Sequence, residues 1–181
     1  GVPQIMRTPV LETERLILRP LYLSDAEEIY NNWTSDPDVA KYMIWNVHQS
    51  VENTKEWLKI VEKNIDSDDV YDWGFVRKSD QKLIGSGGLY YNQSKGMFNI
   101  GYNIMKSCWN QGYTSEAAAR MVKFAVEELK QKKLCSCHAK ENIYSGRILE
   151  KIGFRYIADT VYQKMGGTME FEAKEYIFEI P

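Results

Sequence analysis

Little in this chain asks for an unusual environment. Its 181 residues hold two histidines and three cysteines, and an odd cysteine count offers no disulfide framework. No apolar run approaches the roughly 20 residues that span a bilayer, and no signal-like stretch opens the chain. Reduced thiols without an export signal fit the cytoplasm. There is no basic excess either: the net charge is −2, and the 23 Lys and Arg are scattered among 25 acidic residues. That excludes the electrostatic footprint of a nucleic-acid binder. Cys135, Cys137 and His138 form a C-x-C-H run of metal-ligand type, and the strand geometry argues against it. In an extended 133–139 segment the two thiols share one face and His138 takes the other. The second histidine, His48, is far away in sequence, so no metal is expected.

What is present is ordinary globular material, with 44% apolar and 27% charged residues. At this length one domain over 1–181 buries a real core without staples. Arg15–Arg19 alternates as a first strand. Ser24 followed by Glu27 is a capping-box pattern for a helix Asp25–Trp33, broken at Asp36-Pro37-Asp38. A second helical region starts at Ser50, with Trp57, Leu58 and Val61 as its apolar stripe. Asp66, Asp68 and Asp69 form a solvated loop.

Strands follow at Tyr71–Lys78, Lys82–Tyr91 and Met97–Met105. Gly85, Gly87 and Gly88 signal a bulge or a close backbone approach in the middle one. Helix 115–130, strand 133–139 and a helix from Asn142 to Gly153 come next. Strands Arg155–Lys164 and Met169–Ile180 close the chain through Gly166-Gly167. The order β-α-α-β-β-β-α-β-α-β-β describes a mixed α/β sheet flanked by helices.

The most informative stretch is Gly101–Glu116. It reads as a strand, a loop centred on Gly112, and the start of a helix. The first amides of a helix lack partners and its dipole favours negative charge, so a phosphate fits there. Gly112 permits a positive φ and a close approach. An ordinary strand-to-helix connection has the same form.

Two segments at the right separation carry more than either does alone. Ile100-Gly-Tyr-Asn-Ile with Trp109-Asn-Gln-Gly-Tyr-Thr-Ser-Glu-Ala117, and Glu141-Asn-Ile-Tyr-Ser-Gly-Arg-Ile-Leu-Glu-Lys-Ile-Gly-Phe154, resemble the acetyl-CoA-binding motifs of the GNAT N-acetyltransferases. The opening Thr13-Glu-Arg-Leu-Ile-Leu-Arg19 and the W-x-x-G-Y-x-[ST]-E-A pattern are most similar to the subgroup with the ribosomal-protein N-terminal acetyltransferases. The resemblance spans nearly the whole chain. It implies a mostly antiparallel mixed sheet with a splayed central strand pair.

It also implies the ligands. Asn110, Gln111, Gly112, Tyr113, Thr114 and Ser115 would cradle the pyrophosphate of acetyl-CoA. The backbone of Tyr102, Asn103 and Ile104 would pair with the pantetheine arm, and Asn142 would hydrogen-bond it or cap its own helix. Thr114 is bulkier than the residue usual in the family at that place.

The implied reaction is direct attack of an amine on the acetyl thioester, with an amide near Ile104 receiving the oxyanion. The family's usual tyrosine acid is replaced here by Leu149. Ser145, three residues after Asn142 and on the same helix face, matches the serine that the subgroup uses instead. A thiol pKa of about 8.5 asks little of such an acid. A solvated helix hydroxyl is the plainer role for Ser145.

Asp72 is the candidate base, with a solvated strand carboxylate as the alternative. Asn99 stands where the subgroup often has Glu and cannot take a proton. His138 would act only through a water. Trp33, Tyr42, Trp45, Tyr90 and Tyr91 are candidates for an acceptor groove. The acceptor is a protein N-terminus or a small-molecule amine such as a polyamine, antibiotic or metabolite. A non-catalytic acyl-CoA-binding module stays open, and the likeness admits a homodimer.

Overall fold

A computed structural model describes residues 7–181. Its eight strands form one sheet: β1 (Leu11–Glu12), β2 (Leu16–Arg19), β3 (Val70–Arg77), β4 (Lys82–Asn92), β5 (Met97–Ile104), β6 (Lys133–Ala139), β7 (Arg155–Gln163) and β8 (Glu170–Glu179). They lie in the order β1-β2-β3-β4-β5-β6-β8-β7. The helices are α1 (Ala26–Ile29), α2 (Pro37–Ala40), α3 (Val51–Lys63), α4 (Tyr113–Glu127) and α5 (Ile143–Lys151). Among the described residues no helix is long and apolar enough to cross a membrane.

Every neighbouring pair is antiparallel except β5 and β6, which run parallel and pair only at Phe98↔Leu134 and Asn99↔Cys135. The Ser136 hydroxyl donates to Ile100 O at 2.9 Å as the last contact. Beyond it β5 continues to Ile104 beside β4, while β6 follows β8. The central pair is therefore splayed, as the family likeness implied.

Alternation along β5 decides what fills each face. Phe98, Ile100 and Ile104 join Leu16, Trp73, Phe75 and Leu89 against Ala117, Ala118, Met121 and Phe124 of α4 and Leu149 of α5. The opposite face packs Leu21, Ala26, Ile29, Trp33, Leu58 and Val61. At about 1.5–3 kcal/mol per buried large side chain, these two clusters dominate the favourable side of folding.

The first helical region differs from the sequence expectation. Ser24 is not its cap. The Asp25 carboxylate accepts Tyr22 N (2.8 Å) and pairs with both terminal nitrogens of Arg19 (2.9 and 3.0 Å), which leaves a 3-10 turn, Leu23–Asp25, before α1. The expected helix end becomes a π turn, Tyr30–Thr34. Both the amide and the hydroxyl of Ser35 donate to Tyr30 O (3.2 and 2.5 Å), which draws in the wider i+5 bond. Asp36-Pro37 starts a helix rather than only ending one, since the Asp36 side chain accepts Asp38 N at 2.9 Å.

Candidate functional site

The loop after β5 is held open by two left-handed residues, Asn110 (φ 61°) and Gly112 (φ 80°). Gly112 is the residue from which α4 starts. Among the described residues the backbone amides of Gln111, Gly112, Tyr113, Thr114 and Ser115 meet no acceptor. Consecutive free amides at the start of a 15-residue helix are chemically suited to receive an anion. The Asn110 amide differs: it donates to the Tyr144 hydroxyl at 3.2 Å, tying the loop to α5.

The loop is braced from the far end of the chain. The Glu116 carboxylate accepts the Thr13 hydroxyl (2.5 Å), the Arg15 amide (3.0 Å) and Arg15 Nε (2.8 Å). Arg15 Nη1 reaches Gln111 O at 2.9 Å, and its guanidinium lies 4.1 Å from the Tyr113 ring centre. Tyr113 thus offers its amide to the cradle and its ring to the brace. Burial raises the Glu116 pKa, but the hydrogen bonds from Thr13 and Arg15 outweigh it and hold the carboxyl below its usual value.

At the splay β5 has no strand partner on its β6 side beyond Asn99. Met105 N bonds Ile84 O on β4. Since successive amides of a strand point to opposite edges, those of Ile104 and Tyr102 point the other way, into the opening. Ile104 O faces the same edge and accepts the Trp109 indole N–H at 2.9 Å.

A cleft of about 460 Å³ runs through this opening, lined by Tyr102, Asn103, Ile104, Asn110, Thr114, Asn142 and Ser145 together with Val39, Tyr42 and Met43. Gln111, Gly112 and Ser115 line a second hollow with Arg15 and Lys151. Asn142 caps α5, its side-chain oxygen accepting Ser145 N at 3.4 Å. Ser145 Oγ lies 3.2 Å from the Tyr102 hydroxyl. Burial raises the Tyr102 pKa well above that of a free tyrosine, with the Ser145 bond opposing, so the phenol stays protonated.

Asp72 lies elsewhere. It pairs with Gly88 on β4, which pairs with Gly101 on β5. Two strand spacings, about 10 Å, therefore separate it from the splay. It is half-buried and hydrogen-bonded: burial raises its pKa, partly offset by a 2.5 Å hydrogen bond from the Tyr90 hydroxyl. A Cβ on Gly88 would fall 2.6 Å from that hydroxyl, so glycine there gives the phenol its path.

His138 is packed rather than displayed. Its Nδ1 meets Ala139 O at 2.6 Å, and a Cβ on Gly146 would come 2.8 Å from its Nε2. Among the described residues no group of three or more His, Cys, Asp or Glu is gathered to hold a metal. Of the five aromatics expected at an acceptor groove, Tyr42 lines the cleft. Trp33 is core, Trp45 packs on the second cluster, Tyr90 serves Asp72, and Tyr91 packs edge-on to Phe98.

Sequence reasoning missed the hydroxyls of Tyr102 and Tyr144 and the Thr13–Arg15–Glu116 brace. The parts of the brace stood inside two recognised motifs, yet nothing in their spacing said that they meet.

Comparison with known proteins bears on the family and the fold. Residues 15–155 match the family model described as an acetyltransferase (GNAT) domain. A Bacillus subtilis protein named uncharacterized N-acetyltransferase YoaA is 29% identical over 148 residues, 81% of this chain and 83% of its own. A GNAT-family acetyltransferase of Bacillus anthracis superposes with a TM-score of 0.80 at 25% identity, over 94% of this chain and 98% of its own. The microcin C7 self-immunity acetyltransferase MccE, solved with acetyl-CoA and AMP, shares the fold at 14% identity (TM-score 0.82; 98% and 99% covered). So does the ribosomal-protein-S5-alanine acetyltransferase of Vibrio fischeri, at 16% (TM-score 0.77; 94% and 96% covered).

Proposed function

The chain belongs to the GNAT acetyltransferase family, and on that premise we propose that it transfers an acetyl group from acetyl-CoA to the α-amine of a protein N-terminus, as one domain working in the cytoplasm. The observation that carries this is the pairing of free amides at the β5 splay, beside the main cleft, with the free amides of loop 111–115, which Thr114 joins to that cleft and Gln111, Gly112 and Ser115 to the second hollow. An elongated ligand with a polar arm and a pyrophosphate fits that set of donors.

When bound, acetyl-CoA supplies an activated acyl carbon and a thiol leaving group. The residues do the rest. The amides of Gly112, Tyr113, Thr114 and Ser115 hold phosphate oxygens, and Asn142 and the β5 edge hold the arm. The Ile104 amide receives the carbonyl oxygen as negative charge develops there. Ser145, backed by the Tyr102 hydroxyl, gives its proton to the departing sulfur.

The choice of an α-amine rests on what lines the cleft. Its one carboxylate among the described residues, Asp38, is held 2.6 Å from Lys106 Nζ. No free base therefore touches the opening. An α-amine has a pKa about 2.5 pH units below that of lysine, so freeing it at neutral pH costs roughly 3.4 kcal/mol less. A weak base acting through water suffices for it. The likeness to the ribosomal-protein subgroup points the same way. Asp72 is the residue to take that proton at a distance. Asp72→Asn is expected to lower kcat/KM about tenfold for an α-amine and to remove a rising limb of the pH profile. That limb should lie above the usual carboxylate range, because burial raises this group's pKa. An unchanged profile removes Asp72 from the mechanism.

The test is CoA-thiol release from acetyl-CoA against N-terminal peptides, lysine peptides, polyamines, aminoglycosides and amino acids. Turnover with N-terminal peptides alone supports the proposal. Turnover only with a small amine replaces the acceptor. Binding without turnover anywhere favours a regulatory acyl-CoA module.

A further inference from the structure

One half-buried cation is not used by the chemistry above. Lys164, at the end of the β7–β8 hairpin, directs its ammonium at three carbonyls: Ala40 O (2.7 Å), Met43 O (2.8 Å) and Trp45 O (3.1 Å). Ala40 ends α2 and its carbonyl also accepts Met43 N at 3.0 Å, while Met43 and Trp45 lie in the segment from 41 to 46, which has no helix or strand of its own. An ammonium has three N–H donors and meets all three.

Its neighbours do the same work. The Tyr162 hydroxyl donates to Tyr42 O (2.5 Å), Met165 N to Ile44 O (2.6 Å), and Asn46 Nδ2 to Met165 O (3.0 Å). Besides an edge-on packing of Tyr42 on Phe171 of β8, these contacts to the hairpin are polar and mostly to backbone, while the Ile44 and Met165 side chains stay exposed at 58% and 63%. Apart from Trp45, which packs on the second cluster, this segment takes its shape from the hairpin.

That shape matters because Lys41, Tyr42 and Met43 line the cleft. Tyr102 and Ile104 face α5 and α4, so Asn103, between them on β5, points to the opposite face of the sheet. Asn103 Oδ1 is buried there without a partner among the described residues. The 41–43 wall and Asn103 thus line one cleft together, Asn103 from the sheet face opposite α4, whose first turn is the loop 111–115 cradle, so an amine approaching from that face meets them.

We propose that Lys164 is a positioning residue for the acceptor: by clamping the 40–45 carbonyls it sets the wall against which the amine is held. The proposal rests on the transferase function above. It commits to an effect on the acceptor and not on acetyl-CoA.

The test is Lys164→Met, with Lys164→Arg as the variant that keeps charge and donors. With the acceptor peptide that gives turnover, Lys164→Met is expected to raise the acceptor KM about tenfold, because a small displacement of a positioning wall is costly. The KM for acetyl-CoA should stay within about twofold, and Lys164→Arg should recover part of the loss. A rise in both KM values together, or a Tm drop of more than about 5 °C, would mark a merely structural lysine and overturn the proposal. So would an unchanged acceptor KM. If no acceptor turns over, the transferase reading fails separately, and amide hydrogen exchange still decides the clamp. Lost protection confined to 41–46 in Lys164→Met upholds it, and unchanged protection there overturns it.

Discussion

Ser145→Ala is expected to lower turnover about a hundredfold at neutral pH, the lower end of what a positioned proton donor contributes. Affinity for acetyl-CoA should change less than about twofold, because the cradle is built from backbone amides that the substitution does not touch. The reason is local. Asn142 caps α5 and fixes the first turn, which holds Ser145 Oγ in the cleft 3.2 Å from the Tyr102 hydroxyl. Burial keeps that phenol protonated, so it can restore the serine's proton.

Tyr102→Phe should then cost about tenfold, and the double variant little more than Ser145→Ala alone, since two groups acting as one unit are not additive. The reverse order, with Tyr102→Phe severe and Ser145→Ala mild, would move the proton donor to Tyr102. Turnover untouched by both would leave the thiolate departing unassisted.

Glu116→Ala is expected to weaken acetyl-CoA binding about tenfold and to cost about 2 kcal/mol of stability. Three donors converge on this carboxylate, one of them the Arg15 guanidinium that also holds Gln111 O. Removing it frees Arg15 and lets the loop drift from the geometry in which its amides converge. The figure is kept below the sum of three charge-assisted bonds because the Arg15 side chain is 39% exposed and water partly replaces the loss.

The same group sets a pH dependence. Its folded pKa is lowered from 4.5, so its stabilising share is fully present above that value and is lost as pH falls through the folded one. Urea unfolding from about pH 6 down to about pH 3 should therefore show a steeper acid loss in the native protein than in Glu116→Gln. Equal slopes would mean that the brace carries no linked proton.

How far the sequence could be read depended on the range of the interaction. The strand, glycine loop and helix at 97–127 follow from local rules, and Asn142 with Ser145 follows from helix spacing. These are contacts within a turn or two, which residue order alone specifies. The splay came from the family likeness. Its physical cause is that β6 leaves β5 after two pairs to follow β8.

What was illegible lies far apart in the chain. Thr13 and Arg15 meet Glu116 across about a hundred positions, and Lys164 meets carbonyls some 120 residues earlier. The expected helix 25–33 is present as α1 running into the π turn, and it departs from regular α geometry for a closer reason. Asp25 is claimed by Arg19 and Ser35 by Tyr30 O, and side-chain competition of this kind has no periodicity to detect. Asp72 was noticed as a residue type, while its two-strand distance from the opening needed the register.

The central claim is that loop 111–115 is an acetyl-CoA phosphate cradle, and calorimetric titration of acetyl-CoA into the protein and into Gly112→Val tests it most directly. Gly112 sits at φ 80°, and a Cβ there would come 3.3 Å from Arg15 Nη2. A side chain would therefore turn the amides and crowd the brace, at about 1–2 kcal/mol of backbone strain. The account predicts one saturable site of roughly micromolar affinity in the native protein, weakened at least about tenfold in a variant that remains folded. No binding to the native protein, or equal binding to both, would contradict it.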